Sequence, residues 1–345
     1  MCWDWPTGGS APTSKTDRRS GPRERLLLKL RPVRPGDERE YAGVITSIHG
    51  DEGVDPAVLQ ARWQREKRLP QNQGRYLILE DRQTCGYAFW TRPAGWAAGP
   101  VKAANVNVRM IPSRQSAQDF AWILTQMETA AKSSGADVAL AVAREDDDFH
   151  PGALAACGYR VDRLSRSWRL NLIDRTAELL LARSSARKDM ARIGIEIRSL
   201  DDTADESIWR DLYGLAAETI PDIPSTFSEA IPSFEDWLAR MHEPGVFVDR
   251  IWTAWRDDSL VAYTYLVYPA AGDVSTAYTG TRKQFRGLGI ARAVKLESIG
   301  QAIELGRHSI TTNNDLENAA ILHINSTLGY QPLPGLVTYV KSLTS

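Results

Sequence analysis

Residues 280–291 read Gly-Thr-Arg-Lys-Gln-Phe-Arg-Gly-Leu-Gly-Ile-Ala, with glycines at 287 and 289 and cations at Arg282, Lys283 and Arg286. Two glycines so close together let the chain turn tightly and admit a ligand to the main chain without Cβ interference. A helix that begins just after them offers N–H groups with no internal partner, and its dipole is positive at that end. Such a segment suits a diphosphate held on backbone amides, with the cations available to further phosphate. The commoner phosphate loops do not fit. A dinucleotide fingerprint needs a third glycine and an acidic residue on a following strand, and a P-loop needs Gly-Lys-Ser/Thr.

A strand before the loop and a helix after it must hold these residues in place. Val274-Ser275-Thr276-Ala277-Tyr278-Thr279 has the β-branched and aromatic content of a strand. Arg292 to Leu305 predicts a helix: Leu296, Ile299 and Ile303 recur on one face, Ala291, Val294 and Ala302 lie beside them, and Gly306 stops it.

The same order of elements occurs twice. Leu28-Lys29-Leu30-Arg31 and Ile195-Glu196-Ile197-Arg198 alternate like strands and run into polar turns and helices. A hairpin follows in each half, at 76–90 around Glu80-Asp81-Arg82 and at 251–267 around Arg256-Asp257-Asp258. Each half ends alike, with Cys157-Gly158-Tyr159 and Leu328-Gly329-Tyr330 before a last apolar strand. A repeat of these landmarks at about 170 residues predicts a duplicated domain. The expected plan is a disordered tail over 1–25, a first domain over 26–172, a connecting helix over 173–193 packing across the junction, and a second domain over 194–345. The fold class is α+β (mixed α/β), two tandem domains, each a mixed central sheet flanked by helices.

Gln284-Phe285-Arg286-Gly287-Leu288-Gly289 matches the Gln/Arg-x-x-Gly-x-Gly/Ala motif of the GNAT (N-acetyltransferase) superfamily. Ser309 to Asn314 resembles that family's next strand, and Asn318 to Leu322 with Ile324 to Tyr330 resembles its following helix and Leu-Gly-Phe/Tyr turn. The match covers roughly Asp273 to Pro332, and the whole chain more loosely resembles the tandem-GNAT group that includes mycothiol synthase. The resemblance implies coenzyme A as cofactor, as acetyl-CoA. It places Thr279, Gly280, Thr281, Gln284, Phe285, Arg286, Gly287, Leu288, Gly289, Ile290, Ala291, Asn314 and Asn318 against it. Strands carrying Thr279 and Thr311 would splay to admit the pantetheine arm, and backbone near Thr279 to Thr281 would hold the thioester carbonyl. Asn318 reads equally well as a helix N-cap. The matching stretch of the first half, Val106 to Gln118, has no glycine between strand and helix. That copy is expected to bind no coenzyme and to act as scaffold or as a wall of the acceptor cleft.

Amine acylation needs a neutral nitrogen. A lysine-like amine, with pKa about 10.4, needs a base or a water relay, whereas an α-amino group near 7.8 barely does. The leaving thiolate then needs a proton. Many GNAT enzymes supply it from a tyrosine seven residues after the helix asparagine. Here that place is Asn325, which is no acid. Tyr278 and Tyr330 are the nearby alternatives, Tyr330 reading also as a packed turn residue. For a base or ammonium anchor, Glu218 and Asp222 stand in Glu218-Thr219-Ile220-Pro221-Asp222-Ile223-Pro224. The plainer reading of both is a helix end with solvated carboxylates.

The function expected is acyl transfer from acetyl-CoA to a primary amine of a small molecule or peptide. The alternatives are a coenzyme-binding sensor or scaffold without catalysis, and a transferase with another acyl donor. A net charge of −1 over 345 residues argues against binding nucleic acid through its phosphates. No apolar run approaches a membrane span. Three dispersed cysteines fit free thiols in a reducing cytoplasm. The five histidines show no metal or triad spacing, so no metal is expected. A monomer or homodimer fits. Trp3 and Trp5 in the tail are either incidental or a docking element.

Overall fold

The computed structural model describes residues 28–50, 54–66, 73–92, 101–201, 203–227, 231–269 and 273–344. The tail expected over 1–25, with Trp3 and Trp5, lies outside them. In chain order the elements are β1 (Lys29–Pro32), α1 (Glu38–His49), α2 (Pro56–Glu66), β2 (Gln73–Glu80), β3 (Gln83–Thr91), β4 (Ala103–Met110), α3 (Ala117–Ser133), β5 (Val138–Arg144), α4 (His150–Ala156) and β6 (Arg160–Asn171). There follow α5 (Thr176–Arg192), β7 (Glu196–Ser199), α6 (Glu206–Thr219), α7 (Phe234–Met241), β8 (Ile251–Arg256), β9 (Ser259–Val267), β10 (Val274–Thr281), α8 (Ile290–Glu304), β11 (Ser309–Asp315), α9 (Ala319–Thr327) and β12 (Gln331–Ser342). Two compact units result. One is Leu164–Gly335, and the other takes the described residues up to Arg163 together with those from Leu336 on.

In the unit that holds the amino-terminal half, β1 to β4 form antiparallel neighbours and β5 joins β4 in parallel. Asp81 and Arg82 both carry positive φ, as a tight two-residue hairpin turn requires. Phe120, Ile123, Leu124 and Met127, one face of α3, pack into a core with Val106, Val108 and Met110 of β4. The last partner of β5 comes from the far end of the sequence: β12 pairs it antiparallel from Leu336↔Arg144 to Ser342↔Val138.

The unit Leu164–Gly335 repeats the plan. β7, β8, β9 and β10 are antiparallel neighbours, β11 is parallel to β10, and β6 pairs with β11 from Ser309↔Asn171 to Asp315↔Ser165. The final strand of each sequence half therefore completes the ladder of the unit built from the other half. The boundaries expected at 172 and 194 do not coincide with the compact units. Local pattern marks a strand but does not say which edge it will pair.

The expected connecting helix is α5, and it packs within this unit on α8. Leu179, Ala186 and Met190 join the core formed with Val294, Leu296 and Ile299. Arg183 and Arg187 grip Glu297 at 2.6 and 2.7 Å. These contacts all lie within the unit Leu164–Gly335. α8 is buried nearly all round, including Lys295 to Gly300, rather than along one apolar stripe. No helix among the described residues is long and apolar enough to cross a membrane.

Candidate active site

β10 and β11 are in parallel register only at Val274↔Ile310 and Ser275↔Thr311. Among the described residues the pairing stops there, so the strands open as a wedge toward their carboxyl ends. On its other edge β10 pairs with β9, and the register shifts between Thr276↔Leu266 and Tyr278↔Tyr265, which leaves Ala277 as an extra residue. Such a bulge takes main-chain groups out of the ladder at the head of the wedge. The expected splay is present. The displaced backbone lies at 276–278, a little before the stretch expected to hold a carbonyl.

A cavity of about 950 Å³ occupies this region, and its lining runs from Ala216 to Thr327, all within the unit Leu164–Gly335. At one end stands the glycine loop. Gly287 and Gly289 both have φ of +79°, a conformation that a side chain strains, and Gly289 is the left-handed N-cap of α8. No group among the described residues accepts from the amides of Gly287 to Arg292, the first helical bond being Ala293 N–H to Gly289 at 3.0 Å. These donors are free for an anion.

Of the residues expected to hold a coenzyme, Thr279, Gly280 and Thr281 line the cavity from β10. Phe285, Arg286, Gly287, Gly289, Ile290 and Ala291 line it from the loop and helix start, and Asn314 and Asn318 from across the wedge. Gln284 and Leu288 do not; Leu288 is 45% exposed. Asn318 accepts from Ile321 N–H at 3.4 Å, so it caps α9 as well as facing the cavity. Gly280 has a packing reason of its own, because a Cβ there would collide with the Tyr278 ring. The Oγ1 atoms of Thr276 and Thr281, both on the lining, are buried without a hydrogen-bond partner. That leaves polar groups for a ligand to satisfy.

The expected base and acid residues behave differently. Glu218 accepts from Arg282 Nη1 at 2.9 Å and from the Lys283 amide at 2.8 Å. Asp222 accepts from Arg286 Nη2 at 2.7 Å and pairs with Lys283 Nζ at 3.3 Å. The Lys283 amide holds the Glu218 carboxyl, and the Arg286 guanidinium the Asp222 carboxyl, below the usual carboxylate range. A stabilised carboxylate is a weaker base, and only Asp222 of the two reaches the lining. The same pairs compensate most of the charge expected of Arg282, Lys283 and Arg286. The pair fixes the loop; it is not poised to take a proton.

Tyr278 lines the cavity, but its hydroxyl is bonded to Thr219, whose own proton goes to the Leu215 carbonyl at 2.9 Å. Tyr278 is therefore the donor, and burial raises its pKa to about 12. Asn325 is fully buried, donates to Asn314 Oδ1 at 2.8 Å and does not reach the lining, so its expected place among the reacting groups is corrected to support of Asn314. Tyr330 is buried behind the wedge as a packed turn residue, with its pKa raised by burial.

Sequence reading missed two parts of the site. One is an aromatic wall: Tyr263 lies 4.6 Å from Tyr278 between ring centroids, Tyr265 6.5 Å from it, and Trp237, Met241 and Arg240 of α7 line the same side. Tyr263 and Tyr265 alternate along β9, but nothing local says which face receives a ligand. The other is Lys295, 1% exposed and on the lining. A lysine between Val294 and Leu296 in a helix buried on all sides was the signal available. Among the described residues no cluster of His, Cys, Asp or Glu could hold a metal ion.

No family model matches the sequence, and no curated protein matches it. Solved structures do. A GCN5-related N-acetyltransferase from Sphaerobacter thermophilus superposes with a TM-score of 0.65 at 18% identity, over 92% of this chain and 96% of that one. A tandem GNAT protein from the clavulanic acid biosynthesis pathway gives 0.68 at 15% identity, over 92% and 99%. The glucosamine N-acetyltransferase region of a fungal β-N-acetylglucosaminidase gives 0.65 at 14% identity, over 92% of this chain and 38% of that one. At such identities the likeness establishes the fold. The chain has the tandem GNAT fold, as the order of its motifs implied.

Proposed function

We propose that the protein is an acyl-CoA-dependent N-acyltransferase that moves an acetyl group from acetyl-CoA to a primary amine of a small molecule or peptide. The observation that carries this reading is the open β10–β11 wedge, which joins free loop amides at one end to an aromatic-walled cavity at the other. Residues Gly287 to Ala291 would hold the diphosphate, and Thr276 and Thr281 would satisfy their hydroxyls on the arm. Bound there, the coenzyme supplies an activated acyl carbon. The aromatic wall of Tyr263, Tyr265 and Tyr278 suits a cationic or apolar acceptor. With Glu218 and Asp222 held in ion pairs, an acceptor amine that is already partly neutral, such as an α-amino group, fits best.

Calorimetry with acetyl-, propionyl- and succinyl-CoA, followed by a panel of amines, tests the reading. Wild type should bind acetyl-CoA, and Gly287→Glu should lose at least about 100-fold in affinity as its carboxylate meets the diphosphate. A Cβ at 287 meets nothing within 4 Å, so the fold should lose only the strain of a left-handed residue, about 1–3 kcal/mol. Absence of any acyl-CoA binding would end the proposal. Binding without turnover across the panel, even at alkaline pH, would favour a coenzyme-binding sensor, the reading that the buried Asn325 and the paired carboxylates support.

A further inference from the structure

Among the described residues of the unit Leu164–Gly335, two charged side chains are buried, and they differ in their partners. Glu297 on α8 is 1% exposed and is clasped by Arg183 and Arg187. Lys295, two residues earlier on the same helix, is equally buried and makes no hydrogen bond or ion pair with any described residue. Its one close partner is the ring of Tyr330, 5.3 Å from Nζ to the centroid. A buried ammonium with no acceptor is costly, so whatever fills the cavity it lines must supply the missing partner.

Its position narrows what that partner is. Tyr330 and Thr276 act on each other, though neither hydroxyl makes a hydrogen bond of normal geometry. Thr276 is the residue at which the β9 register shifts, at the head of the wedge. Lys295, Thr276 and the Gly287–Ala291 loop line one cavity, so an arm reaching from a diphosphate on those amides along β10 toward that bulge would bring its reacting end to the part of the cavity that Lys295 lines.

We propose that Lys295 is the acid that protonates the departing coenzyme thiolate, an assignment that rests on the acyltransferase reading above. The lone pair of the neutral acceptor nitrogen adds to the thioester carbonyl carbon. The C–S bond then breaks with its electron pair on sulfur, and a proton passes from Nζ to that sulfur, leaving free thiol and neutral Lys295. The acceptor nitrogen sheds one proton on becoming an amide, and this proton returns to Lys295 through solvent. The sum is amine plus thioester giving amide plus thiol. Burial alone lowers the amine's pKa to about 8, close to the value of about 8.5 for an ordinary thiol, so the two groups are matched for passing a proton from nitrogen to sulfur. Lys295 fills the role that Asn325 and the engaged Tyr278 leave open.

Lys295→Met keeps the side-chain length and strands no carboxylate, so the fold should persist. With acetyl-CoA as donor and the panel amine that wild type accepts fastest, its acetyl-CoA affinity should stay within about threefold while thiol release at saturation falls by about 10²-fold or more. Lys295→Arg, which keeps a charge that cannot give up its proton, should remain equally slow. Wild-type turnover in either variant, or a loss confined to affinity, would overturn the assignment and make Lys295 an arm-binding group. Should Lys295→Met fail to fold, the arginine variant decides alone. If wild type itself neither binds acyl-CoA nor releases thiol, the acyltransferase reading falls and takes this one with it; an active wild type beside an equally active Lys295→Met sinks this assignment only.

Discussion

Two parallel strand pairs in this chain begin alike and end differently. β4 and β5 are in register at Ala103↔Val138 to Asn105↔Leu140, β10 and β11 at Val274↔Ile310 and Ser275↔Thr311, and beyond those points each pair separates. Opposite Tyr87, β4 carries Arg109; opposite Tyr263, β10 carries Gly280. Arg109 is only 7% exposed, and its guanidinium donates to the Val142 carbonyl on β5 at 2.6 Å and to the Val108 carbonyl on β4 at 2.9 Å. It fills its wedge and uses up main-chain acceptors on both sides. Gly280 brings no side chain, and its wedge opens on the cavity. A repeated backbone plan can thus keep its shape in both halves while a single side chain occupies the wedge in one of them.

The largest effect should come from closing the open wedge in the same way. Gly280→Arg alone would collide with Tyr278, so the variant is made beside Tyr278→Ala, with Tyr278→Ala alone as its control. Acetyl-CoA affinity should fall by about 10³-fold relative to that control, roughly 4 kcal/mol. Unchanged calorimetric affinity would show that the arm does not use this wedge. The reverse change, Arg109→Gly, should leave one coenzyme per chain. The loop Ile111 to Ser116 still lacks glycine, and Ser116 already accepts from the Asp119 amide at 3.3 Å.

A second contrast is acid sensitivity. His49, bonded to the Tyr87 hydroxyl at 3.1 Å, has its pKa lowered to about 4 by burial and by the Arg109 charge; burial lowers His150 as well. The unfolded chain binds a proton at His49 below pH about 6.5, and the folded one only near 4. This contribution is therefore complete above 6.5 and is lost as pH falls toward 4, up to about 3 kcal/mol. Thermal melts from pH 7 to 4.5 should show Tm falling in wild type and falling less in His49→Gln. Parallel curves would mean that His49 is not the group responsible.

Much of this was legible in sequence because it is local. The glycine loop, the helix after it, the Asp81-Arg82 turn and the Asn318 cap are each set by a few adjacent residues. The exchange of β6 and β12 was not legible, since pairing partners well over a hundred residues apart leave no mark on local pattern. Glu218 and Asp222 were found by sequence, but the cations that hold them lie 64 residues away, so their role could be read only after folding. Lys295 was overlooked because a charge inside a helix reads as a solvated face until burial of the whole helix is known.

The smallest effect separates fixing the loop from catalysis. Asp222 and Arg286 have side chains 34% and 43% exposed, so water and salt screen their 2.7 Å contact and its loss should cost less than about 1 kcal/mol of stability. Asp222→Asn removes a negative charge beside the diphosphate cradle and releases Arg286 and Lys283 toward phosphate. Acetyl-CoA affinity should therefore rise, by no more than about fivefold, and the gain should fade as salt is added. Turnover at saturating donor should stay within about tenfold of wild type, because a carboxylate tied to two cations is a poor base. A loss of 10²-fold or more, the range of a true general base, would return Asp222 to the reaction itself and would mean that its ion pairs open when substrate binds.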